Sequence, residues 1–249
     1  MAKEWTDTGI VLAAKPFGEN DAILDVITPT QGRHSGFVRG GRGRRKRGLL
    51  QGGNILHVTW KARLENQLGG FAIEIIRSPL GNMFADSHRL MALSAAVSVL
   101  AQSLPERDPH QSLYEGLEAF LGLLEADEST PAMWGEALVR LEYMLLKELG
   151  YGLDFSACAA TGVLDDLIYV SPKSGRAVSR EAGKPYHDKL LSLPAFLLGE
   201  GPTRAGLDDV VPGLQMTGFF LTQQIWAVHD QAQPPSRDRF VHWLGRQFR

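Results

Sequence analysis

Along the first 80 residues, apolar positions recur with the period of two that marks a half-buried strand. Five short runs carry the pattern: residues 9–15 (GIVLAAK), 20–28 (NDAILDVIT), 33–39 (RHSGFVR), 54–62 (NILHVTWKA) and 71–77 (FAIEIIR). In the second run Ala22, Leu24 and Val26 alternate with Ile23, Asp25 and Ile27. β-Branched and aromatic residues dominate these runs, and turn sequences such as Pro29-Thr30-Gln31-Gly32 separate them. Five strands in so short a stretch predict a small closed or nearly closed barrel. The OB-fold is the commonest five-stranded solution, and an SH3-like barrel gives a similar pattern.

Beyond Pro79 and Gly81 the period lengthens to that of helices. Residues 86–103 are rich in Ala and Leu, with Asp86 or Ser87 as cap, and residues 111–125 carry Leu113, Leu117, Phe120 and Leu124 on one face. Thr130-Pro131 opens a third helix. Its apolar stripe is Trp134, Leu138, Leu141, Leu145 and Leu149, with Glu136, Arg140, Tyr143 and Lys147 opposite, and Gly150 and Gly152 end it. Residues 151–183 are irregular, with a hairpin expected where residues 168–170 and 176–178 flank Ser171-Pro172-Lys173-Ser174-Gly175. A short helix is expected within 188–198, interrupted at Pro194, and a long apolar helix over 213–228. A last helix begins at Ser236, with Phe240, Val241, Leu244 and Phe248 on one side and Arg239, His242, Arg246 and Arg249 on another. The class is therefore α+β: a barrel over residues 1–80, then a mainly helical domain over 81–249 with an irregular insertion at about 151–183.

Charge sharpens this division. The chain of 249 residues has a net charge of -2, yet residues 1–80 carry +5 and the rest -7. Much of the positive charge lies in one segment. From Arg39 to Arg47 six of nine residues are basic (Arg39, Arg42, Arg44, Arg45, Lys46, Arg47), three are glycine and none is acidic. Such a cluster must be solvated or meet an anion, and a nucleic-acid backbone is the densest common one. A flexible, solvated loop is the alternative. The base-stacking candidates are Phe17, Phe37, Trp60 and Phe71; Trp60 and Phe71 are expected in the barrel core, and Phe37, beside this segment, is the best of the four. The single cysteine, Cys158, allows no intrachain disulfide and fits a reducing cytoplasm. No apolar signal core opens the chain. Residues 210–228 are uncharged but hold Pro212, Gly213 and three glutamines, which suits a buried helix better than a membrane span.

Catalytic chemistry has no residues to carry it. The chain lacks a P-loop, a Gly-x-Ser-x-Gly elbow and a His-Glu-x-x-His pair, and its seven histidines are scattered. The residues alone leave open a DNA-binding protein, an RNA-binding module, or an interaction scaffold with an inert basic tract.

The order of short motifs narrows the choice. Trp5-Thr6-Asp7-Thr8-Gly9-Ile10-Val11-Leu12 is followed by Gly18-Glu19-Asn20-Asp21, Thr28-Pro29-Thr30-Gln31-Gly32, the basic segment leading to Leu50-Gln51-Gly52-Gly53, and Arg140-Leu141-Glu142 through Leu149-Gly150-Tyr151-Gly152 to Cys158. In this order, nearly end to end, the chain resembles the RecO family of bacterial recombination mediators. The resemblance implies an N-terminal OB-fold, binding of single- and double-stranded DNA, annealing of complementary strands, and a cytoplasmic, nucleoid-associated protein that is not an enzyme. It also implies contact of the helical domain with the acidic tail of single-stranded-DNA-binding protein (SSB), the tail's acids meeting basic side chains and its terminal Phe entering an apolar pocket, and partnership with RecR in loading RecA. The DNA-binding residues expected are Arg33, Phe37, Arg39, Arg42, Arg44, Arg45, Lys46 and Arg47; Arg140 and Lys147 are the expected SSB-tail contacts. Some members hold zinc with four cysteines. Here Thr161 stands where a Cys-x-x-Cys partner of Cys158 would be, so no zinc or other cofactor is expected.

Overall fold

A computed structural model describes residues 3–64, 66–83, 86–199 and 207–247. The chain divides into two compact units, Met1–Asp127 and Glu128–Arg249.

In the first unit the strands are β1 (Lys3–Phe17), β2 (Asp21–Thr28), β3 (Gly32–Val38), β4 (Ile55–Ala62) and β5 (Gly70–Arg77), with a helical turn, α1 (Arg44–Arg47), between β3 and β4. Hydrogen bonding follows the order β1-β2-β3-β5-β4 and returns to β1, which pairs with β4 through its first half and β2 through its second. The β3–β5 seam is thin, a single parallel partner pair of Phe37 and Gly70. β1 starts at Lys3, six residues before the apolar pattern does. Its early residues are held by cross-strand pairs that hydropathy alone does not reveal: Trp5 lies opposite Trp60, and Glu4 meets Lys61 at 2.9 Å.

Val11, Leu24, Val26, Val38, Leu56, Val58, Trp60 and Phe71 fill the interior. Ile10, Leu12, Ile27 and Ile55 lie on the other face, yet they are buried too. The covering elements follow the short α2 (Leu80–Met83): α3 (Ser87–Ser103) lies against β1 and α4 (Gln111–Glu125) against β2. Asp86 caps α3, accepting from the His88 N–H at 2.9 Å. Gly53 shows how close the approach is: its φ is +89°, and a Cβ there would stand 2.9 Å from Leu93. The two helices thus group with the strands, because they bury a strand face that would otherwise be exposed.

The second unit is built on α5 (Pro131–Glu148), capped by Thr130, packed against α7 (Leu207–Leu221). A Cβ at Gly135 of α5 would fall 2.3 Å from Val210 of α7, so only glycine permits this crossing. The expected hairpin is present as β6 (Leu167–Val170) and β7 (Ala177–Ser179), followed by α6 (Arg180–Gly183). A third strand, β8 (Leu191–Ser192), joins the other side of β6. Where a helix was expected in 188–198 there are instead β8 and two 3-10 turns, Lys184–Lys189 and Ala195–Leu197. Pro194 supplies no donor to a continuous helix there. α7 starts six residues before Gly213, carries Pro212 within it, and is continued by a π turn over Thr222–Trp226. α8 (Pro235–Arg246) buries Phe240, Trp243 and Leu244; Phe248 and Arg249 lie outside the described residues.

One ion pair joins three helices of this unit. Glu142 of α5 is fully buried, and Arg237 of α8 meets it with Nε–Oε1 2.6 Å and Nη2–Oε2 2.8 Å. The Thr217 hydroxyl of α7 donates to the same carboxylate, and Arg237 Nη2 also donates to the Leu214 carbonyl at 2.7 Å. Removing one partner from such a pair costs about 3–5 kcal/mol, because the other charge stays buried.

The barrel interior also holds one imidazole. His34 points inward from β3 among Trp5, Trp60 and Phe71, with ring centroids 5.0 Å from Trp5 and 4.8 Å from Trp60. It is 4% exposed, and neither ring nitrogen has a partner among the described residues. Burial, aided by the Arg107 cation and opposed by Glu106, holds its pKa down to about 4. The unfolded chain therefore binds a proton that the folded barrel refuses between about pH 6.5 and 4, and stability falls as pH falls through that window. His34→Phe is expected to remove about 2 kcal/mol of the stability lost between pH 7 and pH 5, read as a difference in urea denaturation from the parent chain. Equal losses in both would show that the buried imidazole does not set the dependence.

Candidate nucleic-acid interface

The basic segment leaves β3 at Val38 and is a folded loop. Three successive amides turn it back: Gly41 N–H donates to Val38 O at 3.2 Å, Arg42 N–H to Asn20 O at 3.0 Å and Gly43 N–H to Gly40 O at 3.0 Å. Gly40 takes φ +67°, open to glycine at little cost. Its N–H is bound at 2.6 Å by the Asp21 carboxylate at the start of β2. Gly41 packs so close that a Cβ would stand 2.7 Å from that of Ala22. Arg42 turns back on the β1–β2 hairpin, donating through Nη1 to the carbonyls of Gly18 (3.0 Å) and Glu19 (2.9 Å). Lys46 Nζ donates to the Arg39 carbonyl at 2.9 Å. Past α1, the Asn54 side chain ties down the Gly48 and Leu49 carbonyls at 2.9 and 3.0 Å, and its own oxygen accepts from Ser78 at 2.7 Å.

The six cations therefore divide. Arg42 is a structural tie, and Lys46 is half-buried with its ammonium on the Arg39 carbonyl. Arg39, Arg44, Arg45 and Arg47 are exposed, and their guanidinium groups carry no hydrogen bond or ion pair among the described residues. Lys15, near the end of β1, adds a cation from outside the segment. It joins Arg42, Arg47 and Gln51 around a groove of ≈ 500 Å³ floored by Ala14 and Ala22. Lys15 stands alone among apolar residues in sequence, and only the barrel pairing brings it to the loop.

Phe37 sits on β3 beside this edge, half-buried, its ring 5.7 Å from that of Phe17 at 87°. Arg33 lies at the opposite end of the same strand. Its Nη1 donates to Asp25 at 2.8 Å and to the Ala101 carbonyl at 3.0 Å, and Glu106 stands 3.6 Å away. Burial raises the Asp25 carboxyl above its ordinary value while Arg33 and the Ser35 hydroxyl oppose the rise. Arg33 is thus part of the barrel's own hydrogen bonding and apart from the loop. Trp60 and Phe71 are core residues, 1% and 6% exposed.

In the second unit Arg140 makes the i,i+4 pair with Glu136, through Nε at 2.9 Å and Nη2 at 2.7 Å. Its guanidinium carbon also lies 5.3 Å from the centre of the buried Phe196 ring. Lys147 is exposed near the end of the same helix. Arg239, His242 and Arg246 are exposed on α8. Cys158 is buried, its sulfur accepting from the Ser179 N–H (3.3 Å) and hydroxyl (3.4 Å). Burial pushes this thiol up, but hydrogen bonds from Ser179, Thr161 and the Ala160 N–H outweigh it and bring the pKa to about 6. With one cysteine in the chain, a four-cysteine metal site cannot form. Among the described residues no group of three or more His, Cys, Asp or Glu side chains is placed to hold a metal ion, and no helix is long and apolar enough to cross a membrane.

Comparison with known proteins agrees along nearly the whole chain. A family model described as recombination protein O N terminal matches residues 1–79, and one described as recombination protein O C terminal matches residues 85–228. A DNA repair protein RecO of Rhodospirillum rubrum is 48% identical over 98% of this chain and 97% of its own. One of Brucella abortus is 45% identical over 98% and 96%, and one of Methylorubrum extorquens 44% identical over 96% and 97%.

Proposed function

This chain belongs to the RecO family of DNA repair proteins and is a non-enzymatic recombination mediator, and we propose that the basic edge of its barrel is where it holds DNA. The observation that carries this reading is the set of unpaired guanidiniums, Arg39, Arg44, Arg45 and Arg47, on a loop whose backbone is fixed, with Lys15 across the groove. The strand order, with β1 paired to both β2 and β4, supports an OB-fold reading of residues 1–80 as the nucleic-acid-binding domain. Arg33 is left out of the DNA-binding set because Asp25 already holds it.

The cations neutralise phosphates without reading bases, so binding is expected across sequences, on single strands and duplexes alike. Two complementary strands held against one cationic edge repel each other less, which favours annealing. Residues 81–249, with the insertion at 151–183, form the partner-binding part. There Arg140 and Lys147 receive the acidic tail of SSB, the tail's carboxylates displacing Glu136 from Arg140. RecR, and through it RecA, completes the assembly, in the cytoplasm at the nucleoid.

Two measurements test these assignments. Changing Arg44, Arg45, Lys46 and Arg47 together to Glu is expected to weaken DNA binding for every sequence tried. It is also expected to flatten log K against log salt by roughly 0.7–0.9 for each phosphate that is no longer neutralised. An unchanged slope would remove the loop from the interface. Capture on an SSB-tail peptide is expected to depend on the peptide's terminal Phe and to drop about tenfold or more for Arg140→Ala, which removes a charge-assisted hydrogen-bond donor. Capture indifferent to both changes would place the tail elsewhere.

A further inference from the structure

The register of β1 shifts between Val11 and Ala13. Before the shift Val11 faces the interior opposite Val26. After it, Ala14 and Pro16 stand opposite the inward Leu24 and Ala22, while Lys15 and Phe17 stand opposite Ile23 and Asp21 on the outer face. A strand alternates with period two, so without this irregularity Lys15 and Phe17 would share the inward face of Val11. Phe37, on β3, is also opposite Ile23, and Arg39 follows it by two residues. The outer face at the loop end is therefore a row of Lys15 and Phe17, then Ile23, then Phe37 and Arg39. Further along, the same face is closed: Ile10 and Ile27 are fully buried. At the loop end it is open, and Phe17 is 50% exposed with its ring edge-to-face against Phe37. Of the two nearby acids, Asp21 is turned to the Gly40 N–H, and Glu19 is exposed in the turn beyond Phe17.

An exposed phenyl ring braced by a second ring and flanked by cations on both sides fits an aromatic, anionic ligand. Single-stranded nucleic acid supplies both parts, a base face for the ring and phosphates for Lys15 and Arg39. We propose that Phe17 is a base-stacking platform, braced by Phe37, that takes one unpaired base of a strand whose phosphates lie along the basic loop. This rests on the reading of that loop as the DNA-binding edge. It adds a selectivity the cations cannot supply, because in a duplex the bases are already stacked on each other and offer no free face.

The test uses the full chain, a fluorescent single-stranded oligothymidine, a duplex of equal length, and an abasic strand with the same phosphates. Phe17→Ala is expected to weaken oligothymidine binding about tenfold and leave duplex and abasic binding and the salt slope unchanged. Phe17→Trp is expected to restore or exceed parent affinity. The unaltered chain is expected to bind the abasic strand about as weakly as Phe17→Ala binds oligothymidine, a result that depends on no variant folding. Equal affinity of the unaltered chain for abasic and oligothymidine strands, or equal loss on single strand and duplex in Phe17→Ala, would overturn the proposal. Failure of the loop reading is distinguishable, since it appears as an unchanged salt slope in the charge-reversed loop.

Discussion

Two side-chain ties to the β1–β2 hairpin hold the basic loop: Arg42 on the Gly18 and Glu19 carbonyls, and the Asp21 carboxylate on the Gly40 N–H. Six cations in nine residues repel one another, by about 1 kcal/mol for a pair 4 Å apart even in water. Left to itself such a segment would extend into solvent. Here one of its own cations is turned back onto neutral carbonyls, and its backbone is bound by an acid from the adjacent strand. The free guanidiniums are thereby presented from a fixed backbone. Ordering that loop adds little to the entropy lost on binding, so more of the phosphate attraction appears as affinity.

The same ties explain why the β1–β2 hairpin and the loop act together. Arg42 joins the loop to the hairpin tip, next to Phe17, and Asp21 begins β2 beneath it. A register shift six residues before that tip decides which side chains face outward there. Geometry at the interface is thus inherited from strand pairing in the barrel, which in turn depends on the aromatic interior around Trp60 and His34.

The alternation of Ala22, Leu24 and Val26 was enough to place β2, and the period of Leu113, Leu117, Phe120 and Leu124 enough to place α4, because both patterns report burial directly. The start of β1 was not legible: Glu4, Trp5 and Thr6 are held by partners on β4 about 55 residues away, and hydropathy carries no such information. The strands end where expected, near residue 80, but the first compact unit continues to Asp127. α3 and α4 bury a second strand face, seen in sequence only as Ile10, Leu12 and Ile27 being apolar when alternation would leave half of them polar. The cations of the loop were plain in sequence, but not which of them are free. Sequence alone gives Lys15, Glu142 and Arg237 no role, since each gains its meaning from a residue distant in sequence. Recognition of the family came from the order of short motifs, most of them turns and strand edges.

Amide hydrogen exchange reads whether the loop is folded before DNA arrives. In the free chain the amides of Gly40, Arg42, Gly43, Lys46 and Arg47, all hydrogen-bonded, are expected to exchange well below the rate of an unstructured peptide. Single-stranded DNA should slow them further, and Arg42→Ala should speed them while the amides of β2 and β4 stay protected. Exchange of these loop amides at the unstructured rate in the free chain, with protection appearing only when DNA is added, would show that DNA folds the loop.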